Sequence, residues 1–153
     1  MTDGQFTPPP PPLANYGNEP SPAITFANVL PVVFKKYAVG RGRASRREFW
    51  FFGLWGLIYS VGGFILILMV GSVLGNSPIG NTVITLIFAL WQLGHFALII
   101  LQITVLVRRL HDTGKSAHYL WFYLIPFIGA IVLLILAISP SDSGDNQYGP
   151  QPN

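Results

Sequence analysis

The sequence predicts an all-α membrane protein, with three transmembrane helices preceded by an amphipathic interfacial helix. Three observations carry that prediction. Of 153 residues, 51% are apolar and only 10% are charged, whereas soluble domains carry about a quarter charged residues. Three long apolar segments without a single charge follow one another, at 49–74, 82–107 and 119–138. All nine Lys and Arg residues sit in two short stretches that flank those segments. A chain of this length makes one domain, and most of a small globule is surface, so this much apolar material cannot be hidden in a water-soluble core. The absence of cysteine excludes a disulfide framework, thiolate catalysis and thiolate metal sites.

Residues 1–22 hold the run Pro8 to Pro12, then Pro20 and Pro22, with few apolar side chains. They are expected to form a disordered cytoplasmic tail with polyproline II character, serving as a solvated spacer. No basic patch followed by a continuous apolar core appears in the first 30 residues, so no cleaved signal peptide is expected. The membrane domain then runs over 23–139. Its interfacial helix, 24–38, is read from Phe26, Leu30, Val33 and Tyr37, which recur at helical spacing. The uncharged part is about half a membrane span, so it should lie along the surface, kinked or restarted at Pro31.

A capping-box spacing, Ser45 with Glu48, predicts that a helix starts at about Arg46. Spans are expected at about 48–74, 82–108 and 119–139. The first two exceed the roughly 20 residues that cross the hydrocarbon core, so they should tilt or extend into the headgroups. The polar stretch 75–81 is a tight turn between them. The third contains Pro126 and Gly129, which a membrane helix can accommodate as a packed kink. Residues 140–153 form a short tail.

Orientation follows from the basic residues. Six fall between Lys35 and Arg47, and Arg108, Arg109 and Lys115 fall between the second and third spans. Cytoplasmic loops retain Lys and Arg, so both stretches should be cytoplasmic. With three spans the amino terminus is then cytoplasmic, and the tail with Asp142 and Asp145 is outside. Ser45-Arg46-Arg47-Glu48-Phe49 has the look of a twin-arginine export signal. It stands too far from the amino terminus, and the apolar segment after it is far longer than an export core. Positive-inside anchoring explains the same arginines.

Two constellations are candidates for function. The first is a cytoplasmic charged cluster: Arg43, Arg46, Arg47, Glu48, Arg108, Arg109, His111 and Asp112. Glu48 and Asp112 are the only acids in their loops. They are expected to pair across the two loops, Asp112 with Arg43 or Arg46 and Glu48 with Arg108 or Arg109, clamping the first two helices together. Clustered arginines at a membrane surface also attract acidic headgroups. The second is a polar stripe on the second span, Thr85, Gln92, His95 and Gln102, spaced by seven, three and seven. Polar groups in hydrocarbon need partners, so the stripe should face the bundle, towards Gly53, Gly56, Ser60 and Gly63. Gly71 and Gly75 add a small-xxx-small pair. His95 is read as a hydrogen-bonded packing residue, because one histidine without an intramembrane carboxylate makes a poor proton relay.

Three strings carry a family resemblance: Gly42-Arg43-Ala44-Ser45-Arg46-Arg47-Glu48-Phe49-Trp50, then Arg108-Arg109-Leu110-His111-Asp112-Thr113-Gly114-Lys115-Ser116, then Gly144-x-Asn146-x-Tyr148-Gly149-Pro150. From about residue 26 onwards the chain resembles the bacterial inner-membrane family of unknown function numbered 805. The resemblance implies an inner-membrane location and brings no activity, substrate or catalytic residue with it. The chain departs from the usual family pattern at Ala117-His118-Tyr119, where glycine and tryptophan are common, and at Gln147, where a basic residue is common.

No nucleotide-binding glycine loop, zinc-protease motif or serine-nucleophile elbow is present. His111 and His118 alone are too few ligands for a metal. The chain is therefore expected to have no cofactor, no metal and no catalytic residues, the one conceivable chemistry being acid-base action of His111 and Asp112 on a lipid headgroup. The leading expectation is a noncatalytic module that binds membrane lipids, anionic ones in particular, or a protein partner through its arginine-rich loops, with no role for nucleic acid. The alternative is a small self-associating transporter or channel subunit built on the polar stripe.

Overall fold

The computed structural model of the protein describes residues 22–37, 39–75 and 77–152. The proline-run part of the amino-terminal tail, expected to be disordered, lies outside the described residues. Among those residues there are four α-helices and one long 3₁₀ helix, and no strand. They are α1 (Val29–Lys35), α2 (Arg46–Leu74), α3 (Pro78–Asp112), the 3₁₀ helix Ala117–Leu124 and α4 (Ile128–Ile138).

Helices α2 and α3 are each long and apolar enough to cross a membrane. At 1.5 Å per residue their 29 and 35 residues reach about 44 and 52 Å, beyond the roughly 30 Å hydrocarbon core. Local chemistry sets their ends. The Ser45 side chain accepts from the Glu48 backbone N–H at 3.3 Å and starts α2 at Arg46. Ser77 does the same for α3, accepting from Gly80 at 3.0 Å, with Pro78 in the first position, where its missing N–H costs nothing. At the far end of α3, Lys115 donates to the Leu110 carbonyl and Gly114 to that of His111, a Schellman stop. Gly114 has φ +69, and a Cβ there would also meet the Asp142 carboxylate, so glycine is required twice over.

The two long helices form an antiparallel hairpin whose middle interdigitates. Trp91 of α3 lies over Gly63 of α2, and Tyr59 of α2 lies against Gly94 of α3. The same two side chains exchange hydrogen bonds with the facing backbones, Tyr59 Oη to the Trp91 carbonyl at 3.0 Å and Trp91 Nε1 to the Tyr59 carbonyl at 3.4 Å. Glycine here removes the Cβ that would hold the aromatic rings off.

Helix α1 is shorter than expected, and the packed side of its segment keeps Phe26, Leu30 and Val33 of the expected face. Thr25 and Asn28 cap each other reciprocally, the Asn28 N–H donating to Thr25 Oγ1 at 3.3 Å and the Thr25 N–H to Asn28 Oδ1 at 2.8 Å. Pro31 therefore falls in the first turn and breaks nothing. Ile24, Val29 and Val33 are buried against Phe52, Leu101 and Val105, while Tyr37 is exposed. Phe26 stacks on Trp55 at 4.8 Å, and its carbonyl accepts from the indole N–H. Seven residues span only about 10 Å, so α1 is a docked surface element and not a further crossing.

The largest departure from expectation is the third apolar segment. It is not one helix but a hairpin. The 3₁₀ helix descends from the arginine end of α3, and α4 climbs back to it. Eight 3₁₀ residues and eleven α residues each cover about 16 Å, so the segment returns to the level where it began. The reversal is a γ-turn at Pro126-Phe127-Ile128, with φ +61 at Phe127 and the Ile128 N–H donating to the Pro126 carbonyl at 2.7 Å. Gly129 packs against the Phe122 carbonyl, leaving no room for a Cβ. Leu133 and Ala137 of α4 bury against Leu106 and Leu110 of α3.

The carboxyl tail, expected on the opposite side from the arginine loops, is consequently bonded to them: the Asp142 N–H donates to the Asp112 carbonyl at 2.9 Å. Because the native chain has no cysteine, this geometry can be read by single-cysteine labelling in spheroplasts and inverted vesicles. Lys115→Cys and Ser143→Cys should react with an impermeant maleimide from the same side, and Ile79→Cys from the other. Labelling of Ser143→Cys from the side of Ile79→Cys would mean that the third segment crosses.

Candidate functional site: a buried charge cluster at one end of the helical hairpin

The three strings that carry the family resemblance lie far apart in the chain and meet at one end of the hairpin. Five charged side chains are fully buried there: Arg43, Glu48, Arg108, Arg109 and Asp112. Burying charge is costly unless each group is paired and hydrogen-bonded, so the quality of the pairing decides how the site works.

Asp112 is the centre. One carboxylate oxygen accepts from Arg43 Nε at 2.8 Å, and the other is held by Arg109 and by the Ser141 hydroxyl. Arg43 comes from the loop before α2, carried inwards by the Ala44 N–H, which donates to the Arg108 carbonyl at 3.0 Å. Its remaining donors reach the tail, at the carbonyls of Asp142 (2.7 Å) and Gly144. Arg109 turns to α4, with Nε 3.0 Å from the Ala137 carbonyl and Nη2 on that of Ser139. It thus supplies the positive charge and the donors that a helix carboxyl end lacks.

The second pair is of another kind. Arg108 Nη1 lies 2.6 Å from Glu48 Oε1, but the approach is too poorly angled for a hydrogen bond. No atom of either charged group has another partner among the described residues. This is a contact of charges between α2 and α3 rather than a bonded network. Both pairings are among those the spacing of acids and arginines suggests, Asp112 with Arg43 and Glu48 with Arg108.

His111 completes the tail's seat. Its ring is parallel to that of Tyr148 at 3.9 Å, its Nδ1 is 3.3 Å from the Gly42 carbonyl, and its own carbonyl accepts from Asn146 Nδ2 at 2.9 Å. Ser141, Asn146 and Tyr148 were not candidates from sequence reasoning. The one signal for Asn146 and Tyr148 is the Gly144-x-Asn146-x-Tyr148 string, which reads as an isolated polar tail until its partner is known, and Ser141 has none. His118 is exposed and bonds to Ser116 at 3.4 Å. Arg46 and Arg47, grouped with the cluster in sequence, are exposed and form no ion pair among the described residues.

The polar stripe of α3 does not stay together. His95 faces α2, with Nε2 2.8 Å from Ser60 Oγ and Nδ1 3.2 Å from the Trp91 carbonyl, between the rings of Tyr59 and Trp91. Thr85 is exposed and bonds back to the Asn81 carbonyl at 2.8 Å. Gln92 is exposed, Gln102 is half-buried, and neither side chain forms a hydrogen bond among the described residues. Of the small residues expected opposite the stripe, Ser60 and Gly63 meet α3. Gly53 and Gly56 have nothing within 4 Å of a Cβ position, and Gly71 touches only Ile84, at 3.8 Å. Residues four apart on α3 point only about 40° apart, whereas 92 and 95 lie about 60° apart, enough to leave Gln92 exposed at the edge of the contact that His95 enters.

The fold and this site define a small helical membrane protein, an apolar hairpin closed at one end by a buried charge cluster. The family described as "Protein of unknown function (DUF805)" matches residues 37–150, and the chain belongs to that family. It is 34% identical over 122 residues to the Inner membrane protein YhaH of Escherichia coli strain K12, covering 78% of this chain and 92% of that protein. To the Inner membrane protein YhaI of the same strain it is 34% identical over 126 residues, covering 78% and 91%. No solved structure matches.

Removing one member of a buried pair leaves the other charge uncompensated, at about 3–5 kcal/mol. Asp112→Asn should therefore lower stability by that amount in a detergent-unfolding titration. The double change Glu48→Leu/Arg108→Leu, which removes both poorly bonded charges, should cost much less than Glu48→Leu alone. Equal losses in the single and double variants would show that the pair is not coupled.

Proposed function

We propose that the protein is a noncatalytic inner-membrane module that engages acidic lipid headgroups through the rim of exposed basic residues around its closed end. In this reading α2 and α3 cross the membrane, the third segment is re-entrant, and the arginine end faces the cytoplasm. The α1 segment and the carboxyl tail then share that side.

The observation that carries the proposal is the position of Arg46 and Arg47. They are the first two residues of α2, where the helix dipole disfavours positive charge, and both are exposed. Folding does not require them there. A negatively charged membrane surface attracts them, each basic residue near it contributing about 1 kcal/mol. Lys35 and Arg41 are exposed nearby in the chain. The buried arginines are already committed to Asp112, Glu48 and backbone carbonyls. Asp112, with both oxygens occupied, is badly placed for acid-base chemistry with His111.

Transport along the polar stripe loses its support, because the stripe is divided between the hairpin interior and the outer face of α3. The test is extraction in detergent-free polymer discs followed by lipid mass spectrometry. Arg46→Gln/Arg47→Gln should leave unfolding unchanged and reduce acidic-lipid enrichment about tenfold, from two contributions of ~1 kcal/mol reduced by partial screening. An unchanged lipid profile would refute the proposal. A stoichiometric protein lost from the double variant would replace the lipid by a protein partner.

A further inference from the structure

We infer that the outer face of α3 pairs with α3 of a second copy of this chain, in parallel, with Gln92 meeting Gln92. Thr85, Ala89, Gln92, Phe96, Ile99 and Ile103 alternate at steps of four and three, and all six are exposed. That is the spacing of a helix-packing seam.

The seam continues directly into an interface that exists within the chain. The next two positions in the same register are Leu106 and Leu110, and these bury against Leu133 and Ala137 of α4. One face of α3 therefore packs a helix at its arginine end and, among the described residues, packs nothing beyond the tip of the re-entrant hairpin. The uncovered stretch is where Gln92 lies, ten residues from the start of the uncharged segment 82–107 and fifteen from its end.

Gln92 decides the occupant. Lipid tails can serve as solvent for Phe96 and Ile99 but offer an amide nothing to bond, and a polar side chain at this depth is costly without a partner. Its own helix gives it none. Two copies inserted in the same direction and related by a two-fold axis along the membrane normal bring identical residues to the same depth. A primary amide carries both donor and acceptor, so Gln92 is complementary to itself. The Thr85 hydroxyl is already satisfied by the Asn81 carbonyl. With Ala89 it forms a small-xxx-small step that lets the two backbones approach. Because each copy's α4 covers the arginine end of the seam, the two α3 helices diverge towards that end and touch along the half nearer the α2–α3 turn.

Disulfide cross-linking in native membranes tests this, since the chain carries no cysteine of its own. Ala89→Cys and Phe96→Cys should each give a covalent dimer under mild oxidation. Leu90→Cys and Ala97→Cys, also exposed but turned well away from the seam, should not. Equal cross-linking on both faces, no dimer at either seam position, or capture of a protein of different mass would overturn the inference. As an independent readout, Gln92→Leu should weaken dimerisation about three- to tenfold by fluorescence transfer on dilution in bilayers. Gln92→Asn should largely retain it, and monomer unfolding should be unaffected, because Gln92 bonds to nothing among the described residues. An undiminished dimer in Gln92→Leu would likewise overturn the role of the amide.

Discussion

The structure depends on one carboxylate. Asp112 stands at the end of α3, fully buried, and its two oxygens hold arginines that lead in different directions, Arg43 into the loop before α2 and Arg109 into α4. Two cations around one anion in a dry site would be unstable if the guanidinium groups had nothing else to bond. Here their donors beyond Asp112 end on backbone carbonyls of the tail and of α4 and on the Ser141 hydroxyl. The arginines thus organise the segments that satisfy them. A buried ion pair contributes little net stability compared with well-packed apolar residues. Its effect here is to fix which segment lies where, since a shift of one residue in any of the three strings would strand a charge.

The same constraint accounts for the folded-back third segment. Twenty apolar residues would cross a bilayer as readily as they fold back. Arg109 donates to the carbonyls at the end of α4, and Asp112 fixes Ser141 and the backbone at Asp142. These bonds hold the end of α4 beside the end of α3. The γ-turn at Phe127 makes the return possible at a local cost of about 1–3 kcal/mol for the positive φ. Within the segment, 3₁₀ and α bonds keep the backbone paired, which lipid demands.

Along the rest of the hairpin, polar groups are few and are handled in two ways. On the inner face Tyr59, Ser60, Trp91 and His95 bond to one another and to facing carbonyls near two glycines, a layer that sets the register of α2 against α3. On the outer face Gln92 has no such layer, although it is only three residues from His95. The difference between a packing residue and an association site is therefore one of angle around the helix, not of residue type.

Much of this was determined by the sequence alone, because it rests on local or additive physics. Membrane residence follows from the lack of charge. The start of α2 at Arg46 and the stop at Gly114 follow from capping chemistry within a few residues. That Glu48 and Asp112 pair with arginines across the two loops follows from there being so few acids to share, whereas the choice of Arg43 and Arg108, and the added Arg109–Asp112 pair, does not. Tertiary structure alone decided three other things. Pro126 and Gly129 are compatible with a kink or with a reversal, and only the bonds made by Arg109 and Asp112 select the reversal, and with it the end of the hairpin at which the tail lies. The spacing of seven, three and seven places four polar residues on a broad arc. Which of them face α2 depends on where Trp91 and Tyr59 find their glycines. Ser141, Asn146 and Tyr148 acquire a role only when the tail returns, because nothing within reach along the chain records a partner thirty residues away.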